Sequence, residues 1–465
     1  MSVEMPLEVP LSVVVLAAGQ GTRMKSDLPK VLHRIAGRPL VEHVIKDALE
    51  LGAADIHVVF GHGGEQVQKA LSAYDLVWAE QSQRLGTGHA VEQALPAIPD
   101  EHLVLLLYGD VPLITVATLK RLLSACVTEN GGDALALLTA TLNDPTGYGR
   151  IVRNKEGSIQ AIVEQKDANE TQLAISEINT GMLAVKGKHL KKWISRLDNN
   201  NAQGEFYLTD IVGMASEDGT PISSANPIDI CEIEGVNNKR QLADLERAYQ
   251  LRQARALMEN GLTLMDPARF DLRGELSIGR DVSIDINVII EGRVVLGDGV
   301  IIGPNVILKN VSLGSGTQVH ANCVLEDSVV GKECDIGPYA RLRPQTTLAD
   351  KVKIGNFVEI KKSDIAESSK INHLSYVGDT TMGSNVNIGA GTITCNYDGA
   401  YKHQTIIGND VFIGSSTQLI APVTIADGAT IGAGSTITKN ASAHELTLSR
   451  AKQTSVKNWR RPIKK

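Results

Sequence analysis

The sequence predicts an α/β domain built on a parallel sheet over residues 1–237, a linking helix over 238–262, and a parallel β-helix over 263–465. Three observations lead there. Residues 11–18 form an apolar run without polar alternation, closed by a glycine loop and then an amphipathic stretch. Residues 239–260 space apolar side chains among charges at helical intervals. From residue 278 to about 442 an aliphatic residue recurs every six positions, often followed by Gly, Ala or Asp.

In order, the first half opens on that apolar run, a strand buried on both faces because it does not alternate. It lacks a basic leader and runs into a charged loop, so it is a strand and neither a signal peptide nor a membrane span. A glycine loop and an amphipathic helix over 39–51 complete a βα unit. Residues 56–60 repeat the strand pattern, and 103–107 do so again, running straight into Tyr108, Gly109 and Asp110. Ligands in doubly wound sheets sit beyond the carboxyl ends of the strands, so the glycine loop and Asp110 fall in one crevice.

The connector carries Leu242, Leu245, Ala248, Tyr249, Ala256 and Leu257 with charges between them and Gly261 as a stop. At about 1.5 Å per residue it is long enough to hold two domains apart.

In the second half the repeat openers are Ile278, Ile284, Ile290, Leu296, Ile302, Leu308, Leu313, Val319, Leu325, Val330, Ile336, Leu342, Leu348, Ile354, Ile360, Ile365, Ile371, Val377, Met382 and Ile388. The frame slips by one residue at Leu313, Val330, Ile365 and Met382, as a coil with one shorter side would give. Six residues suit one short strand and a corner, with openers stacked inward. An α-helix is excluded, since Gly at 279, 297, 303, 314, 331, 337, 355, 378, 383 and 389 would cost it roughly 1 kcal/mol each. Chance periodicity in a glycine-rich β-sandwich is the competing reading, and spacing alone leaves the hand of the coil open.

Composition narrows the function. At 465 residues, two domains with a connector are expected. A net charge of −7 gives no general reason to bind nucleic acid or anionic membrane, so any phosphate site is built locally. Aromatics at 4% argue against a stacking platform for single strands. Five scattered cysteines, an odd number without a CxxC pair, indicate buried thiols in a reducing compartment, here the cytoplasm.

The glycine loop alone could be a structural turn. What raises it is the string Leu16, Ala17, Ala18, Gly19, Gln20, Gly21, Thr22, Arg23, Met24, with Pro29 and Lys30 shortly after. The glycines let backbone N–H groups approach phosphate oxygens, and Arg23 and Lys30 add cations. This string resembles the signature of sugar-phosphate nucleotidylyltransferases, which implies a Rossmann-like domain. The resemblance extends to Gln81 with Leu85, Gly86, Thr87, Gly88 and His89 as base-recognition segment, and to Tyr108, Gly109 and Asp110, whose aspartate would bind Mg²⁺. Gly149, Glu164 and Asn179 match sugar-binding positions, and Asn237 matches the second metal ligand.

A β-helix is a scaffold, so chemistry must come from polar residues that break its pattern. Arg343, Lys361, His373, Tyr376 and Asn387 lie roughly a coil apart, a spacing that predicts stacking on one side of the prism, and the insertion Cys395-Asn396-Tyr397-Asp398-Gly399 interrupts the repeat beside them. The repeats resemble those of left-handed hexapeptide-repeat transferases. Over essentially the whole chain the sequence is similar to the family of bacterial bifunctional N-acetylglucosamine-1-phosphate uridylyltransferases and glucosamine-1-phosphate acetyltransferases.

That resemblance implies acetyl transfer from acetyl-CoA to the amine of glucosamine 1-phosphate, then uridylyl transfer from UTP to N-acetylglucosamine 1-phosphate. The product would be UDP-N-acetylglucosamine for peptidoglycan and lipopolysaccharide. An ammonium cannot attack a thioester, so a base of near-neutral pKa is required, and His373 is the candidate. Arg343, Lys361, Tyr376, Asn387 and Lys402 would bind the sugar phosphate, and Ala390, Asn396, Tyr397, Ser415, Ala433 and Arg450 would contact acetyl-CoA. The basic tail 459–465 would lie over the coenzyme phosphate or is simply a frayed end. Family members form trimers, which a flat-faced prism suits. Two rivals remain: a nucleotidylyltransferase whose β-helix is only an appendage, and a silent subunit that binds nucleotide sugar.

Overall fold

In the computed structural model, which describes residues 9–61, 63–128 and 132–464, the chain divides into two units, 1–249 and 250–465. The division falls inside one long helix, Lys239–Glu259. Its first half packs Leu245 with Met24, Ile35, Leu40 and Val236 of unit one. Its second half places Ala254 in the core of unit two, where the Gln250 amide donates to the Leu272 carbonyl.

Unit one is built on a mixed sheet whose strands run, edge to edge, Ile222–Ala225, Leu135–Thr141, Glu177–Lys186, Leu103–Tyr108, Leu11–Leu16, Asp55–Phe60 and Val77–Glu80. All pairings along it are parallel except those of Glu177–Lys186. The unalternating apolar run has the predicted cause: Val13 and Val15 enter one core and Val14 and Leu16 the other, with helices covering both faces. Leu11–Leu16 is flanked by Asp55–Phe60, the next strand of this sheet, on one side and by Leu103–Tyr108 on the other, so the strand order reverses there and a crevice opens. The amphipathic helix is Leu40–Glu50. Between it and the glycine loop the chain inserts two short turns, Thr22–Met24 and Lys30–Leu32, and a two-stranded ribbon. The glycine loop is therefore not the N-terminus of that helix.

Unit two is a three-faced parallel coil. One face is an eleven-strand ladder, and the other two form a fifteen-strand sheet. Every repeat opener is buried except Ile278 at the mouth of the coil, which is half-buried. All four frame slips fall on the same edge, between the second and third faces, as the shorter-side reading requires. A corner recurs about every six residues in left-handed backbone, among them Asn287, Asn305, Asn322, Tyr339, Phe357 and Leu374. Each such corner costs roughly 1–2 kcal/mol for a non-glycine residue. Burying one Ile, Leu or Val per unit contributes about 1.5–3 kcal/mol, and the parallel ladder adds its hydrogen bonds, so the stacked coil wins. The first coils depart from one strand per side: Phe270–Ile278, Val288–Leu296, Ile307–Leu313 and Val324–Val330 run across two faces. This closed parallel arrangement is consistent with a left-handed β-helix.

Three of the five cysteines, Cys126, Cys323 and Cys334, are buried; Cys231 and Cys395 are only half-buried, which corrects the expectation of uniformly buried thiols. Among the described residues no helix is long and apolar enough to cross a membrane.

Candidate active sites

In unit one the site forms where the central strands end. Leu16 and Tyr108 are in register, and the Gly109 amide donates to the Leu16 carbonyl at 3.0 Å, so Ala17, Ala18 and Gly19 emerge beside Asp110. The Val236 amide donates to the Asp110 carbonyl at 2.9 Å and brings in Asn237. Two cations converge on these side chains. Lys30 is paired with the Asp110 carboxylate, its Nζ lies 3.5 Å from Asn237 Oδ1, and Arg23 Nη2 donates to the same oxygen at 2.9 Å. Gly21 makes room for this: its φ is +64° and a Cβ there would stand 2.6 Å from Lys30 Cβ.

A cleft of about 340 Å³ opens beside them, lined by Leu16, Ala17, Ala18, Gly19, Lys30, Gln81, Gly86, Thr87, Tyr108 and Asp110. Gln81 is buried, and its amide donates to the Gly86 carbonyl at 3.0 Å, which holds the loop ahead of helix Thr87–Ala94. Arg84 and Glu205 also line the cleft. Neither was singled out from sequence, because neither belongs to a motif.

The predicted sugar-binding residues Gly149, Glu164 and Asn179 lie outside the cleft lining. The Asn179 amide donates to the Gly149 carbonyl at 2.9 Å, and Thr209 Oγ1 donates to Glu164 at 3.0 Å. Burial raises the Glu164 carboxyl above the ordinary range. The Tyr108 hydroxyl is raised by desolvation and then by the charges of Asp110 and Glu164. Asp210 is pushed up to about 6, first by burial and then by Asp198, Glu164 and Asp167.

In unit two the predicted group does not stand on one side. Arg343, Lys361 and Tyr376 belong to one face, Lys361 pairing with Gly378 and Tyr376 with Glu359. His373 ends strand Lys370–His373 of the preceding face and meets them across the Leu374 corner. Asn387 is also on that preceding face, in register with Lys370. Spacing of roughly a coil cannot separate faces when a coil has three of them.

The cations do gather. The close approach of the Lys402 ammonium, from the insertion, pushes the Lys361 ammonium below its ordinary value, with burial and Arg343 adding to it. Three cations whose charges oppose one another in this way favour an anion between them. Arg343 donates to Glu359 at 2.7 Å.

His373 belongs to a column. Asn356 is in register with it one coil earlier, and Ala390, Ser415 and Ala433 follow on later coils, joined by amides donating to carbonyls: Gly391 to His373, Ser416 to Ala390, Gly434 to Ser415. Arg450 closes the column, its Cδ 3.7 Å from where a Cβ on Gly434 would stand. Coils rise by about 4.8 Å, so the histidine stands at one end of a strip of small side chains. His373 Nδ1 lies 2.7 Å from Asn356 Oδ1. An amide oxygen only accepts, so Nδ1 carries the proton and Nε2 offers its lone pair. Asn356 and Glu359 were missed in the sequence; the signal was there, since each lies 17 residues before a residue that was chosen, His373 and Tyr376. Asn396 is buried and donates to Asp379, while Tyr397 is exposed on the insertion. Residues 451–464 are exposed and outside any helix or strand; Lys465, the end of the basic tail, lies outside the described residues.

A mostly parallel, mixed sheet with a glycine loop at its switch point, followed by a hexapeptide coil with a histidine and three cations, defines a nucleotidyltransferase fused to a second transferase. The MobA-like NTP transferase domain family matches residues 13–170, the GMPPB C-terminal domain family residues 272–354, and the bacterial transferase hexapeptide family (six repeats) residues 404–439. A curated relative, the "Bifunctional protein GlmU" of Cellvibrio japonicus (strain Ueda107), is 57% identical over 455 residues, which is 98% of this chain and 100% of the relative. The chain belongs to the bifunctional GlmU family. Among solved structures, a nucleotidyl transferase from Methanothermobacter thermautotroptrophicus is 20% identical and covers 52% of this chain and 99% of its own, with a TM-score of 0.37, too loose an overlay to bear on the fold.

Proposed function

We propose that this chain makes UDP-N-acetylglucosamine in two steps, with residues 263–465 acetylating glucosamine 1-phosphate from acetyl-CoA, residues 1–237 coupling the product to UTP, and residues 238–262 linking the two. The observation that carries the reading is the His373 column beside the Arg343, Lys361 and Lys402 cluster. It supplies a base, an anion grip and a strip for an extended thioester, which a mere appendage would not need.

For acetyl transfer, the three cations hold the sugar phosphate. The substrate amine sheds its proton to His373 Nε2, attacks the thioester carbonyl, and coenzyme A leaves as the thiolate. Ala390, Ser415 and Ala433 keep the column shallow, so the coenzyme lies against the backbone, with Arg450 at its far end. Tyr376, Asn387, Asn396 and Tyr397 orient the two substrates. Acetyl transfer thus needs no covalent enzyme intermediate.

For uridylyl transfer, an oxygen of N-acetylglucosamine 1-phosphate attacks the α-phosphorus of UTP and pyrophosphate leaves. Both reactants are anionic, and the loop amides at Gly19 and Gly21, with Arg23 and Lys30, offset that charge. Gln81, Gly86 and Thr87 read the base, and Gly149, Glu164 and Asn179 the sugar. The family generally uses a divalent metal, and we assign Mg²⁺ here. The fit is one of donor chemistry: the Asp110 carboxylate and the Asn237 amide oxygen are hard donors already drawn to the Lys30 ammonium. Asp110 and Asn237 would hold the ion, and when bound it would neutralise and polarise phosphoryl oxygens. The assembly is a homotrimer through the flat coil faces, in the cytoplasm.

The test is two assays on one preparation: thiol release from acetyl-CoA with glucosamine 1-phosphate, and pyrophosphate release from UTP with N-acetylglucosamine 1-phosphate. Both activities are expected. Pyrophosphate release without any thiol release would leave the β-helix as an appendage.

A further inference from the structure

Among the described residues of unit two, Asp379 is the one buried carboxylate, 8% exposed. Asp327, Gln345 and Lys362 hold the equivalent corner on the three preceding coils, and all three are exposed. Asp379 is covered where the repeat is interrupted on the next coil: successive coils are 17 residues apart at Asp364 and Thr381 but 25 apart at Thr380 and Thr405. A buried carboxylate is costly unless its partners are good, so this one calls for a reason.

Its side chain is held by the start of the insertion, and its backbone carbonyl by the end of it, through the ladder bond that every coil makes. The Asn396 amide donates to the Asp379 carboxylate where the insertion leaves the coil, and the Thr405 amide donates to the Asp379 carbonyl at 3.1 Å where it returns. Lys362 Nζ lies 3.4 Å from the carboxylate on its other side. Beyond that base the insertion is a hairpin stiffened from within. Tyr397 bridges to Lys402, Asp398 accepts from the Ala400 and Tyr401 amides at 2.8 and 2.7 Å, and His403 lies 2.7 Å from Asp398. A rigid hairpin fixed at its base delivers its side chains in one place: Lys402 lines one cleft with Asp379 and Lys362, and its charge is felt at Lys361. Asn396 Nδ2 is also 3.5 Å from the Tyr376 hydroxyl, so the same tie reaches a second residue of the site.

We propose that Asp379 is a positioning residue for acetyl transfer, gripping the base of the insertion hairpin so that Lys402 meets Arg343 and Lys361 and the three together bind the sugar phosphate. It touches neither substrate and acts through Asn396 and Lys402. The proposal rests on the acetyltransferase reading given above.

The experiment compares wild type, Asp379→Asn, Lys402→Ala and the double variant in the full chain. Asp379→Asn should raise the KM for glucosamine 1-phosphate about tenfold and leave kcat within about threefold, because the grip on substrate is lost and the base is not. Pyrophosphate release by unit one and the melting temperature should stay at the wild-type values. The double variant should have the KM of Lys402→Ala alone, since both changes remove one device. An unchanged KM, a fall in kcat alone, or effects that multiply in the double variant would overturn the proposal. If Asp379→Asn loses the folded β-helix on melting, Asp379→Ser is measured; loss of the fold in both makes the role structural and also overturns it. A wild type that releases no thiol overturns the acetyltransferase reading and this proposal with it, whereas an active wild type with an unaffected Asp379→Asn overturns the proposal alone.

Discussion

Replacing Asn356 by Ala removes the acceptor that holds the His373 proton on Nδ1. The bond is 2.7 Å long and lies on an exposed corner, so its net contribution is that of an ordinary hydrogen bond, about 0.5–1.5 kcal/mol. That energy biases the imidazole toward the tautomer and orientation in which Nε2 can accept a proton, and at about 1.4 kcal/mol per tenfold it corresponds to a loss of roughly 2- to 13-fold in acetyl transfer. His373→Ala removes the proposed base, and the expected loss is about 10²- to 10⁴-fold. The assay is thiol release at saturating acetyl-CoA and varied glucosamine 1-phosphate, with pyrophosphate release as the control that unit one is intact. Asn356→Asp gives an independent readout: a carboxylate there favours the imidazolium and raises the His373 pKa. More of the base is then protonated at neutral pH, so the acid limb of the rate profile should move to higher pH. If Asn356→Ala costs as much as His373→Ala, or if Asn356→Asp leaves the profile in place, the assignment of Nε2 as the accepting atom is wrong.

Other outcomes follow from the same geometry. Asp110→Asn should lower pyrophosphate release at least about a hundredfold while thiol release stays at the wild-type rate, since the loss falls on charge stabilisation in unit one only; near-normal release would remove Asp110 from the site. Ser415→Leu should raise the KM for acetyl-CoA about 5- to 150-fold, from roughly 1–3 kcal/mol of added steric cost in the column, and leave that for UTP unchanged; an unaffected KM would mean the coenzyme lies elsewhere. Asp210, whose folded pKa of about 6 is raised above its ordinary 3.8, destabilises the fold once ionised, and the penalty grows as pH rises from about 4 to 6. Asp210→Asn should therefore raise the melting temperature at pH 7.5 and leave it nearly unchanged at pH 4; a rise of equal size at both would point to packing in place of charge.

Much of this was legible from residue patterns. The unalternating strand, the six-residue repeat with its slips, and the connector helix all reflect one local rule, that an element's buried face must be apolar at the element's own period. Lys239–Glu259 was expected almost to the residue for that reason. The placement of His373 and Asn387 was harder. A coil of three sides makes residues a coil apart neighbours only if they fall on the same side, and small slips at one edge decide which side that is. Arg84 and Glu205 were invisible because lining a cleft leaves no periodic trace.

By itself the sequence determined the two scaffolds, the order in which they follow, and where the glycine loop and the repeat openers fall, because each of these is set by neighbours within a turn, a strand or one repeat. Only the tertiary structure decided which distant side chains meet: Asp110 with Asn237 through the backbone bond from Val236 to Asp110, Asn356 with His373 through coil register, and Asp379 with Asn396 across the interrupted coil. Those meetings depend on how whole elements pack, and packing is a sum over many contacts that no single stretch of chain encodes.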